Sequence, residues 1–336
     1  MSPARVAGAD GMSQDTGYKI SLYAKTDVGL VRSGNEDNFL ALNLSTADTW
    51  TPETAAGTNL EEPISQAQGH FGTVLAVTDG MGGALAGEVA SRLAVESVRD
   101  RLLELQSNPT YSKFSFPERL RLAIELANLH IHYESLNHAE YSGMGATFTA
   151  AGLDGETIYF AQIGDSRAYI YRGGIVKQIT RDQSLVGQLV EAGHITEEEA
   201  EQHTYKNVIL QALGASPYIN VAVNKLVLRD GDIILLCSDG LSNKVRGDEM
   251  MEVVKNSDSI EHACNALIDL ANERGGEDNI TVMVAQVAGP SLKPADEILD
   301  GQADADDWQI EFVPRDPRLP HEIDDELLNS EDDTLP

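Results

Sequence analysis

The chain has 336 residues, 42% hydrophobic and 23% charged, which is enough apolar material for one large soluble domain or two average ones. Its 24 Lys and Arg face 54 Asp and Glu, a formal charge of -30, so no broad basic face is on offer to nucleic acid or an anionic membrane. The amino-terminal MSPARVAGADGMSQ lacks the apolar core of a secretory leader, and no run is long enough to span a bilayer. Cys237 and Cys264 have no zinc-spaced partners and read as buried free thiols, so a soluble cytoplasmic protein is expected.

Residues 1–17 are small and polar and read as a loose arm. Tyr18 to Ala24 alternates as a first strand, and the polar cluster Arg32–Asp37 separates it from a second. Residues 45–70 show no sustained period and read as a long surface loop. The apolar run Val74–Val77 predicts a buried strand that ends at Asp79. It breaks into Gly80, Met81, Gly82 and Gly83, where backbone can turn sharply and approach a ligand.

Helical spacing follows over 87–106 (Val89, Leu93, Val98, Leu102, Leu105) and from about Pro117 to about Leu136 (Leu120, Ile124, Ala127, Ile131). His130 and His132 lie on the second helix without a metal spacing around them and read as packing or surface groups. The middle is strand-rich: ATFTAAGL, then TIYFAQIGDSRAYIYRGGIVKQIT, with a hairpin turn at Gly173-Gly174. Residues 182–206 switch to a short helical, polar pattern between strands. Val221–Leu228 and DIILLCSDGL are strands, the latter ending at Asp239. A helix over Ser259–Arg274, stopped by Gly275-Gly276, leads through Glu277-Asp278-Asn279 to the last strand, ITVMVAQV.

From Ala288 onward the chain carries 15 Asp and Glu against 3 Lys and Arg, and six of the twelve prolines. Residues 288–336 therefore read as a mostly disordered, expendable tail. Its apolar island WQIEFVP, 308–314, is either a short docking segment or an incidental cluster in a solvated tail.

Glu36, Asp37, Asp79, Asp165, Asp239 and Asp278 all sit at strand ends beside Gly, Ser or Asn. An Asp-Gly after a strand is more often a simple turn, and the chemistry depends on these acids meeting. In an antiparallel sheet, one strand's end and its neighbour's start share a rim, so four of them can line one edge. Crowded carboxylates repel and resist joint ionisation, which divalent cations relieve. An all-oxygen set favours magnesium or manganese over zinc, and two such ions form a clamp for phosphoryl hydrolysis. Arg32, next to these acids, is either a surface ion-pair partner or a grip for two phosphate oxygens.

The ordered series RSGNED (32–37), DGMGG (79–83), GATFTAA (145–151), GDSR (164–167), ALG (212–214), SDGL (238–241) and GGEDNIT (275–281) resembles the metal-dependent serine/threonine protein phosphatases, the type-2C-like PPM family, in its compact bacterial form. The match covers about residues 18–287. The resemblance implies an α+β fold: a four-layer α-β-β-α sandwich of two antiparallel sheets flanked by helices. By motif position, Asp79 touches both core metals and the Gly80 carbonyl binds one, while Asp239 and Asp278 hold the other. Asp165, with Asp239, matches a third, looser site. Glu36 and Asp37 act mainly through waters held by the ions, and Arg32 holds the substrate phosphate. The implied catalytic set is Arg32, Asp37, Asp79 and Asp239.

Residues 182–206 match the mobile flap. Three places depart from the family pattern: Met81 where eukaryotic members often carry His, Gln183 where His is usual, and Thr-Tyr-Lys-Asn after His203 in place of Pro-x-Arg-Asn. The expected activity is hydrolysis of phosphoserine and phosphothreonine in proteins, with Mn2+ or Mg2+ as cofactor. The expected partners are Ser/Thr kinases and their substrates, and the expected state is a monomer. The alternatives are a silent phosphoprotein-binding module and a small-molecule phosphatase on the same site.

Overall fold

A computed structural model describes residues 17–52, 62–295 and 308–320. Two antiparallel sheets stack face to face. The first runs in the order β10 (Ile175–Gln178), β9 (Arg167–Arg172), β12 (Ile233–Cys237), β13 (Ile280–Ala288), β1 (Lys19–Asp27), β4 (Ile64–Ala67). The second runs β14 (Glu311–Phe312), β11 (Ala222–Val227), β8 (Thr157–Ile163), β7 (Phe148–Asp154), β5 (Thr73–Met81), β2 (Asp37–Asn43), β3 (Asp48–Trp50). A short β6 (Gly145–Ala146) pairs with the end of β5.

Helices α1 (Ala84–Ser107) and α2 (Phe116–Asn137) cover the second sheet, and α6 (Gly247–Asn256) and α7 (Ile260–Glu273) cover the first. The expected four-layer sandwich is the observed architecture.

Period-two alternation makes this layering possible. Along β2 and β5, Phe39, Ala41, Leu75 and Val77 join the core between the sheets, whereas Leu40, Leu42, Val74 and Ala76 pack under α1 and α2. Both faces of these strands are buried, so they read as continuous apolar runs. Helix α2 starts on a capping box, Ser115 with Glu118, and carries Pro117 in its first turn. Gly173 and Gly174 turn between β9 and β10 with φ of +55° and +89°, a left-handed pair that suits a primed hairpin. Cys237 and Cys264 are buried free thiols. His130 faces Ser97 and His132 faces the Gly214 carbonyl, as packing groups do.

Three readings change. Within 45–70, Asp48–Trp50 and Ile64–Ala67 are strands rather than loop; both are short edge pieces, with exposed positions that hide an apolar signal. Residues 53–61 lie outside the described residues. Helix α6 was not anticipated, although Met250, Met251 and Val254 bury one face of it.

Residues 308–320 are a strap packed on the domain, not a solvated chain. Trp308 is buried beneath the Arg172 guanidinium, 5.1 Å from its ring, and the Lys177 ammonium, at 4.5 Å. β14 adds to the edge of β11, Arg121 donates to the Val313 carbonyl at 2.6 Å, and Arg315 grips Glu125 with bonds of 2.9 and 3.0 Å. Leu319 is buried in the helix-side core. Average composition concealed three apolar anchors spaced along the acidic segment. The arm at 1–16 and residues 296–307 and 321–336 of the tail lie outside the described residues.

Candidate active site

One rim of the sandwich collects the acids. Asp37 on β2 and Asp79 on β5 are register partners across the second sheet. Asp165 sits in the turn by which the chain passes from β8 in the second sheet to β9 in the first. Asp239 follows β12 and opens the short helix α5 (Asp239–Ser242), and Asp278 lies just ahead of β13. Sequence reasoning expected the edge of one antiparallel sheet. The acids instead come from both sheets and meet where the two layers face each other.

Burial dominates the electrostatics. It pushes the Asp37 carboxyl up to about 7 despite hydrogen bonds from Ser238 Oγ and Thr281 Oγ1, each 2.7 Å to Oδ2. Asp165 is likewise pushed up to about 7, by burial first and then by the charges of Asp239 and Asp182. Burial lifts Asp79 well above the usual carboxylate range, and Asp37, Asp239, Asp165 and Asp278 add their repulsion. Asp239 rises through burial and the charge of Asp278, although its side chain meets that of Asp79 and accepts from Asn243 Nδ2 at 3.0 Å. Glu36 is raised by burial, with Arg32 opposing.

Oδ1 of Asp37, of Asp165 and of Asp239 is buried without a hydrogen-bond partner. Orphaned, repelling oxygens of this kind are what a divalent cation stabilises. Among the described residues, no three His, Cys, Asp or Glu side chains close on one point as finished metal ligands. The all-oxygen donor set fits magnesium or manganese.

Backbone geometry completes the pocket. A Cβ on Gly80 would lie 2.0 Å from the Gly87 carbonyl oxygen, and one on Gly87 would lie 1.9 Å from Glu36 Oε2. Only glycine at both positions lets the start of α1 sit against Glu36 and the end of β5. Thr147 Oγ1 accepts from the Asp79 N–H at 2.9 Å and anchors that strand end.

Opposite, Arg32 Nη2 donates to Asp278 Oδ2 at 2.9 Å, with both side chains partly exposed. The Arg32 loop is pinned by Asn279, whose Nδ2 donates to the carbonyls of Val28 and Gly34, each at 2.9 Å, and whose Oδ1 accepts from Glu36 N–H at 2.8 Å. A cleft of about 340 Å³ lies here, lined by Arg32, Glu36, Asp79, Met81 and Ile209 with glycine backbone between.

Every acid singled out from the sequence is at this rim, together with Gly80 and Arg32. The supporting residues Ser238, Thr281, Asn279 and Thr147 were missed. Ser238 and Asn279 each adjoin an acid beside an apolar strand, which is a legible signal; Thr281 and Thr147 have no acid next to them in the chain and carry none.

A two-sheet sandwich with an acid rim and a facing arginine defines a class, the cation-dependent phosphatases of αββα architecture. Residues 62–278 match the family model described as protein phosphatase 2C. The serine/threonine phosphatase stp of Listeria monocytogenes is 34% identical over 262 residues, 78% of this chain and 94% of that one. The crystal structure of the Mycobacterium tuberculosis serine/threonine phosphatase PstP superposes with a TM-score of 0.63 at 33% identity, covering 80% of this chain and 98% of that one. A structure of the PstP catalytic domain in complex with two manganese ions gives 0.62 at 33% identity, over 81% and 99%. The chain belongs to the protein phosphatase 2C family.

Proposed function

We propose that this protein hydrolyses phosphoserine and phosphothreonine esters in proteins with Mn2+ or Mg2+ as cofactor. The observation that carries the reading is the set of buried carboxylates drawn from both sheets, with orphaned oxygens on Asp37, Asp165 and Asp239. Asp79, Asp239 and Asp278, with the Gly80 carbonyl, would hold two core ions, and Asp165 with Asp239 would hold a third, while Glu36 and Asp37 would act through water. Bound there, such ions would supply a more acidic water and positive charge for the phosphoryl oxygens.

Arg32 orients the phosphate with its paired N–H groups, exchanging its bond to Asp278 for phosphate oxygens. Asp37, held through Oδ2 by Ser238 and Thr281, keeps its other oxygen, Oδ1, without a hydrogen bond. Met81 lines the cleft and cannot donate a proton, so protonation of the leaving serine or threonine oxygen falls to water or to another group.

The working unit is residues 18–287 with the strap 308–320 added, and 182–206 form its flap. The substrates in this reading are proteins phosphorylated by Ser/Thr kinases, and the enzyme works as a cytoplasmic monomer in phosphorylation signalling. In keeping with that, no helix among the described residues is long and apolar enough to cross a membrane. The test is release of phosphate from a panel of phosphoserine and phosphothreonine peptides with and without Mn2+. Turnover of peptides that vanishes on chelation supports the assignment. Turnover of metabolite phosphates alone would move it to a small-molecule phosphatase, and cation-independent peptide binding without turnover would make it a docking module.

A further inference from the structure

The turn that carries Asp165 is gripped on both sides by two consecutive flap residues. On one side, Gln183 Oε1 accepts from the Gly164 N–H at 2.9 Å and its Nε2 donates to the Gln162 carbonyl at 3.2 Å. The Gln183 main chain is also engaged: its N–H donates to the Gly164 carbonyl at 2.9 Å, and its carbonyl accepts from Leu210 N–H at 2.8 Å. One residue thus joins the turn to the start of the 182–206 excursion and to Leu210, a few residues past its end. On the other side, Asp182 takes the Arg167 guanidinium, with Nη2 at 2.7 Å and Nε at 3.1 Å.

The back of the turn is already closed. Gln162 Nε2 donates to the carbonyls of Gly164 and Ser166, each at 2.8 Å, and Thr149 Oγ1 donates to the Ser166 carbonyl at 2.9 Å. Gly164 has a φ of +93°, and a Cβ there would stand 2.6 Å from Thr147 Cγ2. The turn therefore cannot retreat towards Thr147, which itself holds the Asp79 N–H. Between these supports the Asp165 carboxylate keeps a buried, unpartnered Oδ1. Among the described residues, the Gln183 amide is the one support that belongs to the flap and reaches the Gly164 side of the acid through a side chain.

We propose that Gln183 is a positioning residue: its amide sets the direction of the Asp165 carboxylate and couples it to the base of the flap. This rests on the cation-dependent reading of the site. A ligand's own support typically governs cation affinity by about ten- to a hundredfold.

The test is Gln183→Met, which keeps side-chain length and removes both amide contacts, in the full chain. Calorimetric titration with Mn2+ should show the weakest class of bound ion loosened about tenfold, with the tighter ions unaltered. The turnover number for a phosphothreonine peptide should fall, while KM for p-nitrophenyl phosphate stays put. In an Asp165→Asn background the same substitution should cause no further loss, because its effect passes through Asp165.

Equal Mn2+ binding by the unaltered chain and Gln183→Met would overturn the proposal, as would additive losses in the double variant. These outcomes differ from failure of the phosphatase reading, which appears as no turnover in the unaltered chain. Should Gln183→Met not fold, hydrogen exchange on the unaltered chain decides. Segments 162–167 and 183–210 should gain protection over the same Mn2+ range, and protection of 162–167 alone would refute the coupling.

Discussion

Stripping divalent cations should expose a pH dependence of stability that manganese removes. Asp37 and Asp165 are each lifted to about 7 from an ordinary value of 3.8, mainly by burial. A carboxyl raised in the folded state binds its proton more tightly there than in the unfolded chain. Its stabilisation is complete below the unfolded pKa and is lost as pH climbs through the folded one. Between about pH 5 and about pH 7.5, one such group gives up about 2.5 kcal/mol, from the linkage relation at about 1.36 kcal/mol per unit. The two losses do not simply add, because Asp79 and Asp239 share the same field. Urea denaturation of chelated and Mn2+-loaded protein at the two pH values measures the effect. The chelated protein should lose about 2–3 kcal/mol more than the loaded protein on the way up, since bound cations favour the ionised acids. Parallel pH slopes in the two preparations would refute the idea that buried like charges wait here for a cation.

Asp239→Asn should reduce Mn2+-dependent phosphopeptide turnover about a hundredfold or more while the fold persists, read by initial rates and circular dichroism. Arg32→Ala should raise KM for a phosphopeptide about tenfold with a smaller change in turnover; the reverse split would place its contact in the transition state alone. Trp308→Ala should cost about 3 kcal/mol in chemical denaturation, because it empties a buried site and removes the partner of two cations. A chain ending at Val287 should be destabilised at least as much, whereas one ending at Pro320 should match the full chain.

The strands that lead to Asp79 and Asp239 were legible because four or five apolar residues in a row, followed after one polar residue by Asp-Gly, leave little alternative to a buried strand and a turn. Helices α1, α2 and α7 were equally plain, since their apolar faces recur at helical spacing. Strands β3 and β4 were not, because an edge strand buries too little to alternate clearly. The strap escaped notice for a related reason: Trp308, Val313 and Leu319 are anchors only where Arg172, β11 and α2 are already in place.

The acids, the glycines that let backbone approach them, and the arginine beside them are written in the chain itself, because strand ends and turn chemistry are local properties. Their meeting from two different sheets, the proton affinities this burial creates, and the grip of Gln183 on the Asp165 turn were decided only by the folded arrangement. Each depends on desolvation and on contacts between segments far apart in the chain, quantities that no local pattern of residues contains.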